Sequence, residues 1–194
     1  MAGIFCRCFL NSRLQSIIVM RILIDMDEVM ADAIERFLEW YERDFGKRYT
    51  KEDLHGTKLH MIVPEAHRQT VKQYPHQEGF FKDLPLIPHS QEIIKELNNR
   101  FDVYVASAAM EFEYSLQDKY EWLDKHFPFI HWKRRILCGD KSVLKGDVLI
   151  DDHDFNLSVF DGRRIMFTAT HNMHETKYER MNSWLDAERL FDMK

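Results

Sequence analysis

Residues 21–32 have the sequence RILIDMDEVMAD, and this stretch organises the rest of the chain. The apolar run 22–24 is typical of a buried strand, and two carboxylates, Asp25 and Asp27, follow it directly. Apolar residues then recur at helical spacing over residues 33–45. The pattern therefore places both aspartates at the carboxyl end of a strand, in the turn before a helix. Open α/β sheets bind their ligands at that position.

Two carboxylates one residue apart suit the chemistry of phosphate esters. They repel each other, and a hard divalent cation such as Mg²⁺ relieves that repulsion. One aspartate can then attack phosphorus while the other donates a proton to the leaving oxygen. The competing interpretation of Asp25 and Asp27 is a solvated turn with a helix cap. Other motifs must decide between the two.

The composition favours one ordinary domain with a sizeable core. The chain has 194 residues, of which 45% are hydrophobic and 30% charged, and its formal net charge is −5. That charge argues against a partner held through nucleic-acid phosphates, and no apolar run reaches the length of a membrane span. Three cysteines, Cys6, Cys8 and Cys138, do not form a disulfide framework, which favours the cytoplasm. The oligomeric state is left open, a homodimer included.

The chain divides into three parts by pattern. Residues 1–19 fit poorly with the rest, and we expect them to be an N-terminal extension without a structural role. Residues 20–45 and 88–194 have the features of an α/β core. Between them, residues 46–87 show helix signals and no strand pattern, so we expect a helical cap inserted over the first strand–helix unit.

Beyond residue 88, strands alternate with helices. We expect strands at 101–106, 136–138, 148–150 and 165–167. A helix that begins at Ser115 should present one apolar face, formed by Leu116, Tyr120, Leu123 and Phe127. The last helix should carry the apolar residues Trp184, Leu185 and Phe191. The alternation indicates a parallel sheet with right-handed crossovers.

Three further positions converge on the first stretch. Ser107 ends one strand, where its hydroxyl can bind a phosphate oxygen, and Lys141 follows the next, where it can neutralise phosphate charge. Alone, each is more typical of a turn serine or a surface lysine. The strand 148–150 runs into Asp151 and Asp152, which favours a metal ligand there. All of these side chains fall at the same ends of four strands in one sheet.

The order Asp-x-Asp, Ser, Lys, Asp-Asp resembles that of the haloacid-dehalogenase-type (HAD) phosphatases. Within that superfamily, residues 20–191 resemble the 5'(3')-deoxyribonucleotidase family, through the sequence FTATHN at 167–172 and the insertion between the first two motifs. The resemblance implies a Rossmannoid three-layer α/β core around a parallel sheet with a small helical cap.

The resemblance also implies catalytic and metal-binding roles. Asp25 would be the nucleophile and a Mg²⁺ ligand. Asp27 would be the general acid and then the general base, with its backbone carbonyl on the metal. Asp152 would be the remaining side-chain ligand, and Asp151 would support the site by orienting Lys141 or a metal-bound water.

Phosphate would be held by Ser107 and Lys141, with a contribution from the backbone amide of Ala108. Ala108 stands where these nucleotidases often carry a second hydroxyl. Glu28 replaces the commoner glycine after Asp27 and adds negative charge beside the site. The cap segment 55–63 lacks the aromatic pair with which the animal enzymes stack the base.

The remaining candidates are histidines and one cysteine. His171 and His174 have the spacing of metal ligands but no third ligand, so we interpret them as polar loop residues. His153 follows Asp152 and is expected to line the site. Cys138 is interpreted as a core residue, not a nucleophile.

The sequence thus predicts a Mg²⁺-dependent phosphomonoesterase that acts on (deoxy)nucleoside monophosphates through an aspartyl-phosphate. The first alternative is the same chemistry on another small phosphate ester. The second is a non-catalytic phosphate-binding module, and the third is a nucleic-acid end-processing phosphatase. The third would need a basic groove, which the net charge of −5 disfavours.

Overall fold

The structure is a computed structural model that describes residues 19–193. We expect residues 1–19 to be an extension, and residues 1–18 of that segment lie outside the described part of the chain. The same holds for Cys6 and Cys8.

Six parallel strands form one sheet in the order β3-β2-β1-β4-β5-β6. β1 lies between β2 and β4, so the chain segments that follow these three strands meet at one edge. This confirms the α/β fold with a parallel sheet. The strands are β1 Arg21–Ile24, β2 Asp102–Ser107, β3 Arg135–Leu137, β4 Val148–Asp151, β5 Arg163–Phe167 and β6 Glu179–Met181.

Seven α-helices surround the sheet within the described residues. They are α1 Ala33–Phe45, α2 Leu59–Ile62, α3 Glu65–Gln73, α4 Ser90–Arg100, α5 Ser115–His126, α6 Asp154–Leu157 and α7 Ala187–Leu190. Short 3₁₀ turns lie at Glu52–Leu54, Tyr74–His76, Trp132–Arg134, Thr170–Asn172 and Trp184–Asp186. No helix among residues 19–193 combines the length and apolar composition needed to cross a membrane.

Both faces of the sheet are covered because successive strand residues point to opposite sides. In β1, Ile22 and Ile24 belong to the large core cluster while Leu23 belongs to a smaller one on the other face. β4 repeats the alternation, with Leu149 in the smaller cluster. Burial on both faces explains why the sequence shows continuous apolar runs.

α1 has well-defined ends. Asp32 Oδ1 accepts a hydrogen bond of 3.0 Å from the backbone N–H of Glu35, which caps the first turn. Gly46 ends the helix with φ 67°, in the left-handed region that glycine occupies without a Cβ penalty, and donates its N–H to the carbonyl of Glu42. The predicted bounds 33–45 are confirmed.

The predicted buried face of α5 is right for Leu123 and Phe127, which are buried, and wrong for its other two residues. Leu116 and Tyr120 are exposed, whereas Lys119 and Trp122 are buried. The helical period allows either set to share a face, and tertiary contacts choose between them. The indole N–H of Trp122 donates to the carbonyl of Leu84 at 2.8 Å, which turns the helix toward the segment 46–87.

The C-terminal region also differs from expectation. β6 is a sixth strand that the sequence did not predict, because its residues, ERM, are too few to show an alternating pattern. The expected last helix is a 3₁₀ turn followed by the four-residue α7, and Leu185 is exposed. Residues 46–87 contain two α-helices and two 3₁₀ turns. Their service as a cap over a core stays a prediction.

Candidate active site

The carboxyl edge of the sheet holds a buried cluster of charges. Asp25 directly follows β1, and its backbone N–H donates to the carbonyl of Ile150 at 2.9 Å, which ties the end of β1 to β4. Lys141 Nζ lies 2.6 Å from Asp25 Oδ1 and 2.7 Å from Asp151 Oδ2. A single buried cation therefore bridges carboxylates from two strands.

The two acids that end β4 have different surroundings. Asp151 Oδ1 accepts hydrogen bonds from the backbone N–H of His153 at 2.9 Å and from Asn156 Nδ2 at 3.1 Å. Both carboxylate oxygens of Asp152 are buried and accept no hydrogen bond of good geometry from any residue in 19–193. Asp151 is thus engaged with Lys141 and its own turn, while Asp152 keeps free lone pairs.

Burial and neighbouring acids change the protonation of the cluster. Burial raises the pKa of Asp25 to about 8; Lys141 opposes this rise, and Asp151, Asp152 and Asp27 add to it. Burial alone would lower the pKa of Lys141, but Asp25 and Asp151 outweigh it and hold that pKa above its ordinary range. Lys141 is therefore a permanent cation in the site.

A second buried lysine completes the site, and sequence reasoning missed it. Lys119, from α5, is 1% exposed, and its Nζ lies 2.6 Å from Asp27 Oδ2 and 3.2 Å from Ser107 Oγ. It joins the turn after β1 to the last residue of β2. A lysine within a helix is usually exposed, so the sequence carried no signal for this contact.

The other predicted phosphate ligands lie beside this lysine. Ser107 is the last residue of β2 and is buried, and Ala108 follows it and is half-buried. The carbonyl of Ser107 accepts the N–H of Cys138 at 2.9 Å, which holds the β3 end against β2. Burial raises the pKa of the Cys138 thiol, in keeping with a structural role for that residue.

The acidic residues fit a divalent metal ion. Carboxylate oxygens of Asp25, Asp151 and Asp152 lie within 4.8 Å of one another. In the described part of the chain, Oδ1 of Asp27 is likewise buried and without a hydrogen-bond partner. Buried carboxylates with unused lone pairs are expensive unless a cation satisfies them, and an all-oxygen donor set suits a hard cation.

This arrangement agrees with a known enzyme family. The family model described as "5' nucleotidase, deoxy (Pyrimidine), cytosolic type C protein" matches residues 18–194. The chain belongs to this 5'(3')-deoxyribonucleotidase family. It is accordingly a phosphoric monoester hydrolase of the 5'-nucleotidase type.

Relatives match almost along their whole length. A Staphylococcus epidermidis protein, provisionally named a 5'(3')-deoxyribonucleotidase, is 41% identical over 172 residues, which are 89% of this chain and 96% of the relative. The 5'(3')-deoxyribonucleotidase of Bacillus subtilis strain 168 is 35% identical over 170 residues, 87% of this chain and 96% of the relative.

Solved structures agree on the fold. A haloacid-dehalogenase-type hydrolase from Bacillus subtilis, determined bound to magnesium, has a TM-score of 0.58 at 12% identity, covering 90% of this chain and 99% of its own. A haloacid-dehalogenase-like hydrolase from Streptococcus pneumoniae has a TM-score of 0.56 at 14% identity, covering 89% and 98%. The nucleotidase therefore has a HAD-like fold.

A cavity of about 250 Å³ adjoins the charged cluster of the nucleotidase. Its lining is largely apolar, and its two phenyl side chains come from α1 and from the loop before α5; they are Phe37 and Phe112. The segment 55–63 contributes Leu59 to the wall but no phenyl or indole ring. The aromatic surface that this segment lacks is thus supplied from elsewhere in the chain.

Glu28 lies between the cluster and the cavity. Its φ is 57°, in the left-handed region that glycine occupies without a Cβ penalty. Burial, followed by the nearby Asp152 and Asp27, raises its pKa well above its ordinary value. The side chain lines the cavity, so a bound leaving group would meet it.

The FTATHN sequence at 167–172 holds the backbone of Asp152 in place. Asn172 Nδ2 donates to the carbonyl of Asp152 and to that of Phe167, both at 2.8 Å. Because one amide group joins β5 to the turn after β4, it sets the position of Asp152. His153 and His171 line the cavity on the same side.

Proposed function

We propose that this chain is a Mg²⁺-dependent nucleotidase that removes phosphate from (deoxy)nucleoside monophosphates through an aspartyl-phosphate on Asp25. The observation that carries the proposal is the pairing of Asp25 with Lys141 beside carboxylate oxygens that have no hydrogen-bond partner among residues 19–193; these are Oδ1 of Asp27 and both oxygens of Asp152. Glu28 and His153, which directly follow Asp27 and Asp152 in the chain, line a cavity large enough for part of a small leaving group.

Asp25 is the proposed nucleophile. Its oxygen attacks phosphorus, forming a new P–O bond as the ester P–O bond breaks. Lys141 remains charged and holds both Asp25 and the phosphate. The side chains of Asp25 and Asp152 and the carbonyl of Asp27 would hold Mg²⁺. The ion would neutralise part of the phosphate charge.

Asp27 is the proposed proton carrier. Its Oδ2 is held by Lys119, whereas its Oδ1 is buried and unpartnered within residues 19–193. A proton on Asp27 passes to the leaving oxygen in the first step. In the second step Asp27 takes a proton from water, which attacks phosphorus and breaks the bond to Asp25, releasing phosphate.

Phosphate binding is assigned to Ser107, Ala108 and Lys141. The hydroxyl of Ser107 already contacts Lys119, so the phosphate oxygens would meet two lysines and one hydroxyl. Without a hydroxyl, Ala108 offers only its backbone amide. The two lysines, together with a metal ion that offsets the carboxylates, would allow a chain with an overall negative charge to hold a phosphate ester.

The part of the substrate other than its phosphate group would occupy the cavity. Residues 46–87 contribute several of its walls, among them Leu54, Leu59 and Val71, which supports their service as a cap over the core 20–45 and 88–194. Base stacking on an aromatic side chain contributes about 1–3 kcal/mol. With single rings from Phe37 and Phe112, we expect deoxynucleoside 5'-monophosphates to be hydrolysed with modest discrimination among bases.

A second candidate is the same chemistry on another small phosphate ester. Lys58 and Lys72 also line the cavity and would suit a leaving group that carries a further negative charge. Hydrolysis rates for purine and pyrimidine deoxynucleotides, measured beside a sugar phosphate and a bisphosphate, separate the two. Faster turnover of the sugar phosphate than of every nucleotide would reject the nucleotide assignment and keep the phosphatase.

The test of the chemistry is hydrolysis of an aryl phosphate with Mg²⁺ and with a chelator. We expect Asp25→Asn to remove essentially all turnover, while Asp161→Asn, an exposed aspartate after α6, leaves it unchanged. A structure with beryllium fluoride should show the adduct on Asp25. An active Asp25→Asn enzyme, or an adduct on another residue, would reject the mechanism.

A further inference from the structure

Asp152 belongs to a second group of metal-ligand side chains, distinct from the all-oxygen group. One ligand atom from each of Asp152, His153 and His171 lies within 4.8 Å of the other two. The proposed reaction uses neither imidazole. Both histidines line the cavity, so this group faces the space in which the leaving group would lie.

The two imidazoles lie near different oxygens of the same carboxylate. His153 Nδ1 lies 3.0 Å from Asp152 Oδ1, and His171 Nε2 lies 3.5 Å from Asp152 Oδ2 and 3.2 Å from the backbone carbonyl oxygen of the same residue. The rings face each other, with centroids 4.4 Å apart and planes inclined by 35°. These distances are short, yet neither carboxylate oxygen of Asp152 accepts a hydrogen bond of good geometry from the described residues.

The backbone holds this group in place. The N–H of His153 donates to Asp151 Oδ1, which anchors the turn after β4. His171 lies in the 3₁₀ turn Thr170–Asn172, and Asn172 joins that turn to the carbonyl of Asp152. Two segments that are distant in the chain thus present three ligands around one point, so little reorganisation is needed to bind a cation.

We propose that Asp152, His153 and His171 form a binding site for a divalent transition metal, next to the carboxylate site for Mg²⁺ and sharing Asp152 with it. Two imidazole nitrogens and one carboxylate suit Zn²⁺ or Co²⁺, whereas Mg²⁺ prefers oxygen. Three protein ligands leave a coordination position open to the cavity. Because neither carboxylate oxygen of Asp152 accepts a hydrogen bond of good geometry from residues 19–193, this carboxylate can serve both sites.

Co²⁺ is the probe, because its visible absorption changes with the ligands around it. The metal-free protein is titrated with Co²⁺ in the presence of excess Mg²⁺, and the affinity is compared among His153→Gln, His171→Gln and His174→Gln. His174 is the matched control, since it is exposed and has the metal-ligand spacing from His171 without belonging to the group.

We expect each of the first two variants to weaken Co²⁺ binding at least tenfold and the control to leave it unchanged. Equal Co²⁺ affinity in all three variants and the unaltered protein would overturn the site and leave the histidines as neighbours of Asp152 only.

A second measurement needs no variant and so does not depend on folding of a mutant. Crystals of the unaltered protein, grown with Mg²⁺, are soaked in Co²⁺ and measured at the cobalt absorption edge. An anomalous peak about 2.0–2.2 Å from His153 Nδ1 and His171 Nε2 supports the site. A peak confined to Asp25 and Asp152, or no peak near either histidine, overturns it.

Discussion

At the scale of single residues, two buried lysines balance the carboxylates at the edge of the sheet. Lys141 pairs with Asp25 and Asp151, and Lys119 pairs with Asp27. Breaking a buried pair by removing one partner is costly, because the remaining charge is left unpaired away from water. The lysines therefore matter for stability as well as for the proposed phosphate binding.

Lys119→Met is predicted to reduce both stability and turnover. The substitution leaves Asp27 without its partner, so we expect the free energy of unfolding to fall by about 2–3 kcal/mol. This loss is small for a buried pair because the side chain of Asp27 is partly exposed. We expect kcat to fall at least tenfold, since Asp27 Oδ1 is no longer oriented. Urea unfolding and steady-state kinetics measure the two effects.

The matched control is Lys125→Met, on the same helix. Lys125 pairs with Asp83 at the surface, where both side chains are exposed, so neither stability nor kcat should change appreciably. Equal kcat values for the two variants would show that Lys119 does not orient Asp27.

Glu28→Gly is predicted to stabilise the protein. A side chain at φ 57° costs about 1–2 kcal/mol, and glycine avoids that cost but loses more entropy on folding, so we expect a net gain of about 1 kcal/mol. Glu28→Gln removes the carboxylate but keeps the Cβ and so separates backbone strain from charge. If urea unfolding shows the two variants to be equally stable, the strain contributes nothing measurable.

At the scale of elements, the turn Thr170–Asn172 positions the strand ends for the site. Asn172→Ala removes the donor to two buried carbonyls, which should lower the free energy of unfolding by about 2–4 kcal/mol. Because Asp152 then loses its backbone support, the Mg²⁺ concentration for half-maximal activity should rise.

The control for this prediction is Asn182→Ala. Asn182 is an exposed asparagine after β6, and among residues 19–193 its side chain forms one hydrogen bond, accepted from the hydroxyl of Thr168. Urea unfolding and Mg²⁺ titration are compared for both variants. An unchanged Mg²⁺ titration in Asn172→Ala would show that Asp152 is held by other contacts.

At the scale of the whole molecule, stability should depend on pH through Asp25. Its pKa is raised from 3.8 to about 8 in the folded, metal-free protein. Between these values the folded state keeps a proton that the unfolded state releases, so the contribution of Asp25 to the free energy of unfolding falls as pH rises. Mg²⁺ must displace that proton at low pH.

We therefore expect Mg²⁺ to raise Tm more at about pH 8 than at about pH 6. Thermal melts of metal-free and Mg²⁺-saturated protein at both pH values measure this. In Asp25→Asn the difference between the two pH values should shrink, because no proton competes at that position. An equal Tm shift at both pH values in the unaltered protein would contradict the linkage.

The sequence alone determined the features that are local along the chain. Apolar runs located β1, β4 and β5, and the residues that follow the strands were assigned to one edge because parallel strands end together. Asp25, Asp27, Ser107, Lys141 and Asp152 do meet there. Of the six strands within residues 19–193, β6 is the one that was not predicted, since three residues are too few for a periodic signal.

The tertiary structure alone decided which distant side chains complete the site. α5 could present either of two faces with the same helical period, and packing against Leu84 and Asp27 selected the one that carries Lys119. Packing likewise brought Phe112 to the cavity and His171 to Asp152 across the fold. Such contacts depend on how elements are oriented when they bury their surfaces together, and spacing along a single chain does not contain that orientation.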